Sequence, residues 1–331
     1  MQIVTQNINV DNWRQYVYDH PNGNFFQTPE YYYVLEKSKK INPFAIAIIE
    51  EEICGLIVGF IQHNYASFLK HLTKRAIVIG GPLVSDNSKE IINKLLQALV
   101  NFVNNKVIYL EIRNIFDQFH NKSQFESNKF KYIPYYNLIN ELSIDQKELI
   151  NRIKKNKRRN VTKSINKGVE FLELNNQPEF DEALKLIVQT YKRLRIPLPD
   201  VSLFNNIINL LPSEYRKIYA AKYNNKIIAC RIELCYKNKI YDWYAGDDKN
   251  FKSKYPNDFL IYNILLESNN EFEYFDFFGA GKPGVSYNVR DYKLQFGGKL
   301  IEYGRYLLIL NKLMYQFGEK LYSLYSLNKH T

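Results

Sequence analysis

The chain has 331 residues, 46% of them hydrophobic and 15% aromatic, and a formal net charge of +11. That length exceeds one ordinary core and suits two lobes, and the apolar content is too high for a disordered chain. The apolar runs are too short to span a membrane; the one over residues 44–49 is closed by Glu50, Glu51 and Glu52. The first residues, with Gln2, Asn7, Asn9 and Asp11, hold no basic stretch followed by an apolar one, so a soluble, cytoplasmic protein is expected. Cys54, Cys230 and Cys235 form no CxxC pair or Cys/His cluster, which suits buried reduced thiols.

In chain order, Thr28-Pro29 opens a helix over residues 30–39, with the threonine as N-cap and the proline at the first helical position. Residues 44–50 and 53–62 read as a hairpin of apolar strands, followed by strands at 75–79 and 107–113. Between those two, Ile91, Leu95, Leu96 and Leu99 recur at helical spacing over 88–101. The second half repeats the theme with a strand at 169–174 and helices at 178–195 and 202–211. A meander follows over 219–223, 226–236 and 239–245, turning at Asn224-Asn225 and Lys237-Asn238, then a helix at 258–269 and a strand at 274–278. This order predicts two similar α/β lobes, each a mixed sheet with flanking helices, over residues 1–145 and 169–331.

The charge is placed unevenly. Residues 1–145 carry 14 Lys and Arg against 14 Asp and Glu, so the whole excess lies beyond them. Residues 146–167 alone hold nine basic residues, Lys147, Arg152, Lys154, Lys155, Lys157, Arg158, Arg159, Lys163 and Lys167, against Glu148. Ser143 with Gln146 makes a capping box, Gly168 suits a C′ position, and Leu149, Ile153, Val161 and Ile165 share one face. The segment 146–168 therefore predicts one amphipathic helix joining the lobes, with a cationic outer face. A solvated linker would also be charged, but so one-sided a run favours a polyanionic partner, either nucleic acid or a phosphorylated ligand.

Gly279, Gly281 and Gly284 spell GxGxxG after a strand, yet Pro283 interrupts the motif and too little chain follows for a dinucleotide-binding βαβ unit. The glycines better suit a close backbone turn at a strand end, where α/β sheets place ligand crevices. No Walker A sequence is present, and His20, His63, His71, His120 and His330 are scattered. No metal set, Ser-His-Asp triad or cofactor is expected, which leaves open a transfer reaction that relies on positioning and oxyanion stabilisation.

Six stretches carry a resemblance across nearly the whole chain: Phe25-Phe26-Gln27-Thr28-Pro29-Glu30-Tyr31; Gly80-Gly81-Pro82; the basic run through Lys167-Gly168-Val169; Trp243-Tyr244-Ala245-Gly246; Asp276 with its glycines; and the run from Tyr292-Lys293 to Gly297-Gly298. In this order they resemble the FemABX family of peptidoglycan interpeptide-bridge aminoacyltransferases. The resemblance implies a tandem of GNAT-like (acyl-CoA N-acyltransferase-like) lobes, the second holding the active site, in the compact form without a coiled-coil arm. The implied activity moves an amino acid from aminoacyl-tRNA to an amine of a peptidoglycan precursor, UDP-linked or lipid-linked; a lipid-linked acceptor would draw the protein peripherally to the membrane.

By the same resemblance Lys293, expected on a strand, stabilises the oxyanion, with Tyr292 as its aromatic neighbour. Arg193 and Tyr244 bind the precursor. In the first lobe Tyr33 stands where the compact members have a lysine, one helical turn from Lys37. The basic face, Lys154, Lys155, Lys157, Arg158, Arg159 and Lys163, is expected to meet tRNA. Acyl-CoA is a poor donor here, because Asp247 and Asp248 stand where a GNAT enzyme cradles pyrophosphate. Two other functions fit the fold: an acyltransferase acting on an envelope or capsule saccharide, and a non-catalytic RNA-binding protein, which would have no use for Lys293.

Overall fold

Ile41–Ile49 and Ile53–Gln62 are too apolar to leave either face in water, and they form adjacent interior strands. The structure, a computed structural model, describes residues 1–62 and 74–327; of the scattered histidines, His63, His71 and His330 lie outside them. The strands are β1 (Gln2–Val4), β2 (Ile41–Ile49), β3 (Ile53–Gln62), β4 (Arg75–Ile79), β5 (Leu83–Val84), β6 (Tyr109–Arg113), β7 (Lys131–Ile133), β8 (Tyr136–Glu141), β9 (Glu170–Glu173), β10 (Arg216–Tyr223), β11 (Lys226–Tyr236), β12 (Lys239–Asp247), β13 (Tyr274–Gly279), β14 (Lys299–Glu302) and β15 (Arg305–Ile309). The helices are α1 (Val10–Asp19), α2 (Pro29–Glu36), α3 (Lys89–Val103), α4 (Lys122–Ser127), α5 (Gln146–Arg152), α6 (Lys155–Asn166), α7 (Gln177–Leu194), α8 (Val201–Leu210), α9 (Pro256–Ser268), α10 (Asn288–Lys293) and α11 (Lys312–Leu327). None of the described helices is long and apolar enough to cross a membrane.

The chain divides into two units, Met1–Pro134 with Pro199–Asn206 and Tyr303–Thr331, and Tyr135–Leu198 with Ile207–Glu302. The first sheet runs β1-β2-β3-β4-β6-β15-β7, with β5 on β3, and the second runs β14-β8-β13-β12-β11-β10-β9. Each contains a single parallel pair among its described strands, β4 with β6 and β12 with β13. A parallel pair cannot be joined by a tight turn, and the crossovers carry α3 in one unit and α9 in the other. The repeated α/β theme of the sequence is thus realised as two sheets of matching plan. The meander turns as expected, with Asn224, Asn225 and Lys237 at positive φ.

The boundaries differ from those expected at 145 and 169. β8, within the expected first lobe, pairs with both β13 and β14 of the second sheet, and β15, near the C-terminus, lies between β6 and β7 of the first. These partners are set by pairing across long sequence separations, which local pattern does not carry.

The basic segment is two helices rather than one, and both belong to the second unit. Asp145, not Ser143, caps α5 by accepting the Lys147 and Glu148 amides. The buried Ile153 is extended, and the Lys154 amide turns away to the Gln295 carbonyl at 2.8 Å, so a tertiary bond replaces the helical one. The buried face of α6 is Lys157, Val161 and Ser164, while Ile165, expected on the apolar face, is 58% exposed.

In the second unit α7 crosses β12 with almost no gap. A Cβ added at Gly246 would stand 2.5 Å from the Ile187 nitrogen and 2.7 Å from the Leu186 carbonyl carbon, and neither backbone atom can rotate away. Gly246→Ala is expected to cost about 1–3 kcal/mol, read as a lower urea midpoint with an unchanged slope; an unshifted midpoint would contradict this packing.

Candidate active site

The register of β12 with β13 covers only Lys239–Tyr241, opposite Tyr274–Asp276. Beyond Tyr241 the rest of β12 continues with β11 and borders a cavity of about 650 Å³. An opening beyond the end of a parallel pair is where α/β sheets place ligands. The β11–β12 register shifts between Ile232 and Glu233, so Trp243 is an extra residue in the ladder. A regular strand would point alternate side chains away; with this bulge, Asp242, Trp243 and Tyr244 all line the cavity. Lys157 and Asn160 from α6, Tyr191 from α7, the α9 start at Tyr255–Asp258, and Tyr287, Tyr292 and Lys293 complete it.

The floor is charged. Arg231 and Asp242 are both buried and paired. Glu233, two residues along β11, is fully buried, and neither carboxylate oxygen has a hydrogen-bond partner among the described residues. Burial, then the nearby Asp242 charge, pushes its carboxyl well above the ordinary range. Burial also pushes Asp276 up to about 6, although it accepts the Phe278 amide at 2.7 Å. Lys293 donates to the Phe277 carbonyl at 2.6 Å and more distantly to Gly279 at 3.5 Å, so the glycine turn supplies its seat. Burial draws its ammonium below the usual lysine value, against the pull of Asp242. Glu233, a buried carboxyl without a hydrogen-bond donor among the described residues, is a group whose neutral, protonated form burial favours.

One wall is a polar cluster centred on Asp258, in the first turn of α9. It accepts Lys157 at 2.9 Å, Asn160 at 2.7 Å and the Tyr292 hydroxyl at 2.8 Å, and the Lys157 ammonium stands 4.1 Å from the Tyr292 ring centre. Burial, reinforced by Asp258, pushes the Tyr292 hydroxyl well above its ordinary value.

Of the residues singled out in the sequence, Lys293, Tyr292 and Tyr244 come together at this cavity. Lys293 ends the short helix α10 rather than lying on a strand. Arg193, in the last turn of α7, pairs with Asp247 at 2.6 Å beside the cavity. Lys157 is buried in the cavity wall, so it is not part of the outer cationic face. Lys154, Lys155, Arg159 and Lys163 are exposed, with Lys155, Arg159 and Lys163 on one ridge of α6, and Arg158 is half-buried. Tyr33 and Lys37 belong to the first unit, at the end of α2, with the Lys37 ammonium 5.2 Å from the Tyr33 ring.

Sequence reasoning missed Arg231, Glu233, Asp242 and Asp258. Two of these had a signal, because charges at alternate positions in Cys230-Arg231-Ile232-Glu233-Leu234-Cys235 break an otherwise apolar strand. The wall cluster separates buried from solvated cations in the basic segment. Lys157→Met leaves Asp258 buried with its main charge partner gone and is expected to cost about 3–5 kcal/mol, against less than about 0.5 kcal/mol for Arg159→Met, as measured by denaturant unfolding.

No protein-family model matches the sequence, and no curated protein matches it. Solved structures do. FemX shares 15% identity and aligns over 96% of this chain and 99% of its own, with a TM-score of 0.73. A tandem GNAT protein from the clavulanic acid biosynthesis pathway aligns over 93% and 98% at 8% identity, with a TM-score of 0.59. L-PGS from Bacillus licheniformis aligns over 94% and 96% at 11% identity, with a TM-score of 0.57. At these identities the likeness is one of architecture, and it identifies the fold of this chain as the FemABX-like tandem of two GNAT-like units.

Proposed function

We propose that the protein is an aminoacyltransferase that moves an amino acid from aminoacyl-tRNA to an amine of a peptidoglycan precursor. The observation that carries this reading is Lys293, a cation seated on backbone carbonyls in the wall of a cavity lined in part by aromatic side chains, in the unit that also bears the basic helix α6. In the reaction the acceptor amine attacks the ester carbonyl, a tetrahedral oxyanion forms, and its collapse expels the ribose hydroxyl of the tRNA. The amine's proton leaves with that hydroxyl or to solvent. The ester is already reactive, so holding the amine close and stabilising the oxyanion supplies most of the needed acceleration. Lys293 serves the oxyanion, while Tyr244 and Tyr292 shape the cavity. Arg193 takes acceptor phosphates by exchanging its bond to Asp247. Lys154, Lys155, Arg158, Arg159 and Lys163 meet the tRNA.

A CoA thioester is a poorer donor. In the turn after β12, Asp248 pairs with Lys226 at 2.8 Å and accepts the Asn250 amide. A carboxylate thus takes the side-chain and backbone donors that a pyrophosphate would need there.

The direct test is incubation with a mixture of charged tRNAs and cell-wall precursors, followed by mass analysis of the precursors; a mass gain of one amino acid residue that RNase abolishes is expected. Lys293→Met retains the stem and removes the charge. Turnover should fall by about two to three orders of magnitude, the scale for one lost oxyanion donor, with acceptor binding changed much less. Near-normal turnover in a folded variant would remove Lys293 from this role.

A further inference from the structure

At the mouth of the same cavity one aromatic ring gathers two cations. The Lys163 and Lys167 ammoniums stand 5.7 Å and 5.3 Å from the centre of the Tyr255 ring. Lys252 and Lys254 come from the short turn Lys249–Lys254 that leads into it, the Lys254 ammonium standing 3.7 Å from the centre of the Tyr223 ring. Tyr255 and Lys252 line the cavity. This turn is fixed to α6: the buried Ser164 hydroxyl donates to the Lys254 carbonyl at 2.5 Å, and Lys167 donates to the Ser253 carbonyl at 2.8 Å. Tyr255 itself has φ +54 and precedes Pro256, so its backbone is held in one conformation.

Among the described residues none of Lys163, Lys167, Lys252 and Lys254 is paired with a carboxylate. Their neighbours Lys157, Arg193 and Lys226 each are. Positive charge has therefore been left without a carboxylate partner on α6 and on the turn that leads to this half-buried tyrosine at the cavity entrance. Lys155, Arg159, Lys163 and Lys167 recur every four residues, a row spanning about 18 Å along the helix direction. A free nucleotide is too short to occupy such a row, and a duplex offers no open base face to a tyrosine. An unpaired strand offers both phosphates and base faces.

We propose that Tyr255 is the stacking platform for the unpaired 3′ end of an RNA, with Lys163, Lys167, Lys252 and Lys254 engaging its phosphates and leading the terminal ribose into the cavity. This deepens the aminoacyl-tRNA reading above and rests on it for the purpose of the site.

The test uses two RNA hairpins with the same stem, one ending in four unpaired 3′ nucleotides and one blunt, titrated by fluorescence anisotropy against the full-length protein. The wild type is expected to prefer the unpaired end roughly ten-fold, the scale for a stacked base. Tyr255→Asn, a residue that accepts positive φ, should bind the two RNAs equally, while Tyr255→Phe keeps the preference. Lys252→Gln combined with Lys254→Gln should flatten the salt dependence for the overhanging RNA by roughly one to one and a half units of slope and leave the blunt RNA unchanged. Equal wild-type affinity for the two RNAs, or a preference that survives Tyr255→Asn, would overturn the platform. An overhang preference without any amino acid transfer would uphold the platform and count against the transfer reading; RNase-sensitive transfer without that preference would do the reverse.

Discussion

The arrangement around the cavity depends on the buried pair of Lys157 with Asp258. Taking both charges out of water is costly, and a single contact would not offset it. Here the carboxylate collects three side-chain donors, Lys157, Asn160 and the Tyr292 hydroxyl, and it sits in the first turn of α9, where the helix dipole favours an anion. One carboxylate thereby ties together α6, α9 and α10. It also sets the rotation of α6. With Lys157, Val161 and Ser164 turned inward, helical spacing sends Lys155, Arg159 and Lys163 to solvent. The ion pair thus decides which cations of the basic segment are available to a partner.

A second constraint lies beneath the cavity. Charges buried in a sheet interior persist only when they are paired or neutralised. The bulge at Trp243 brings Asp242 into register with Glu233 while keeping Tyr244 at the cavity wall. Arg231 has its own carboxylate partner, and Lys293 is seated on two carbonyls. The cation of the site is therefore held in place by backbone and not by a salt bridge of its own. Its field is less quenched than that of Arg193, whose guanidinium is bound at 2.6 Å by Asp247.

The parts of the fold that local chemistry controls were legible in the sequence. The β2–β3 hairpin, the turn at Asn224-Asn225 and the start of α2 at Thr28-Pro29 follow from residue type alone. The break at Ile153 was not legible, because the bond that ends the helical run comes from Gln295, far along the chain. The places of β8 and β15 depend on distant strands in the same way. Helix α10 is only six residues long, and its tyrosine and valine suit a strand as well as a helix. Tyr292 packing on Phe296 and bonding to Asp258 are tertiary contacts, and they favour the helix there. Of the site, the cavity-lining residues with a motif behind them were found. Arg231 and Glu233 belong to no motif, and their only signal is that they interrupt an apolar strand.

The donor geometry of Lys293 bears on how one residue can be structural and also serve the proposed reaction. An ammonium has three N–H donors. The Phe277 carbonyl at 2.6 Å takes one firmly and the Gly279 carbonyl at 3.5 Å takes a second only weakly, which leaves the third to point elsewhere. Because Lys293 also lines the cavity, that remaining donor can meet an oxygen placed there. Burial makes the ammonium more acidic than a solvated lysine, so its hydrogen bond strengthens more as negative charge grows on the acceptor oxygen. A carbonyl in the ground state gains little from this and an oxyanion gains much. That difference is what a catalytic group must provide.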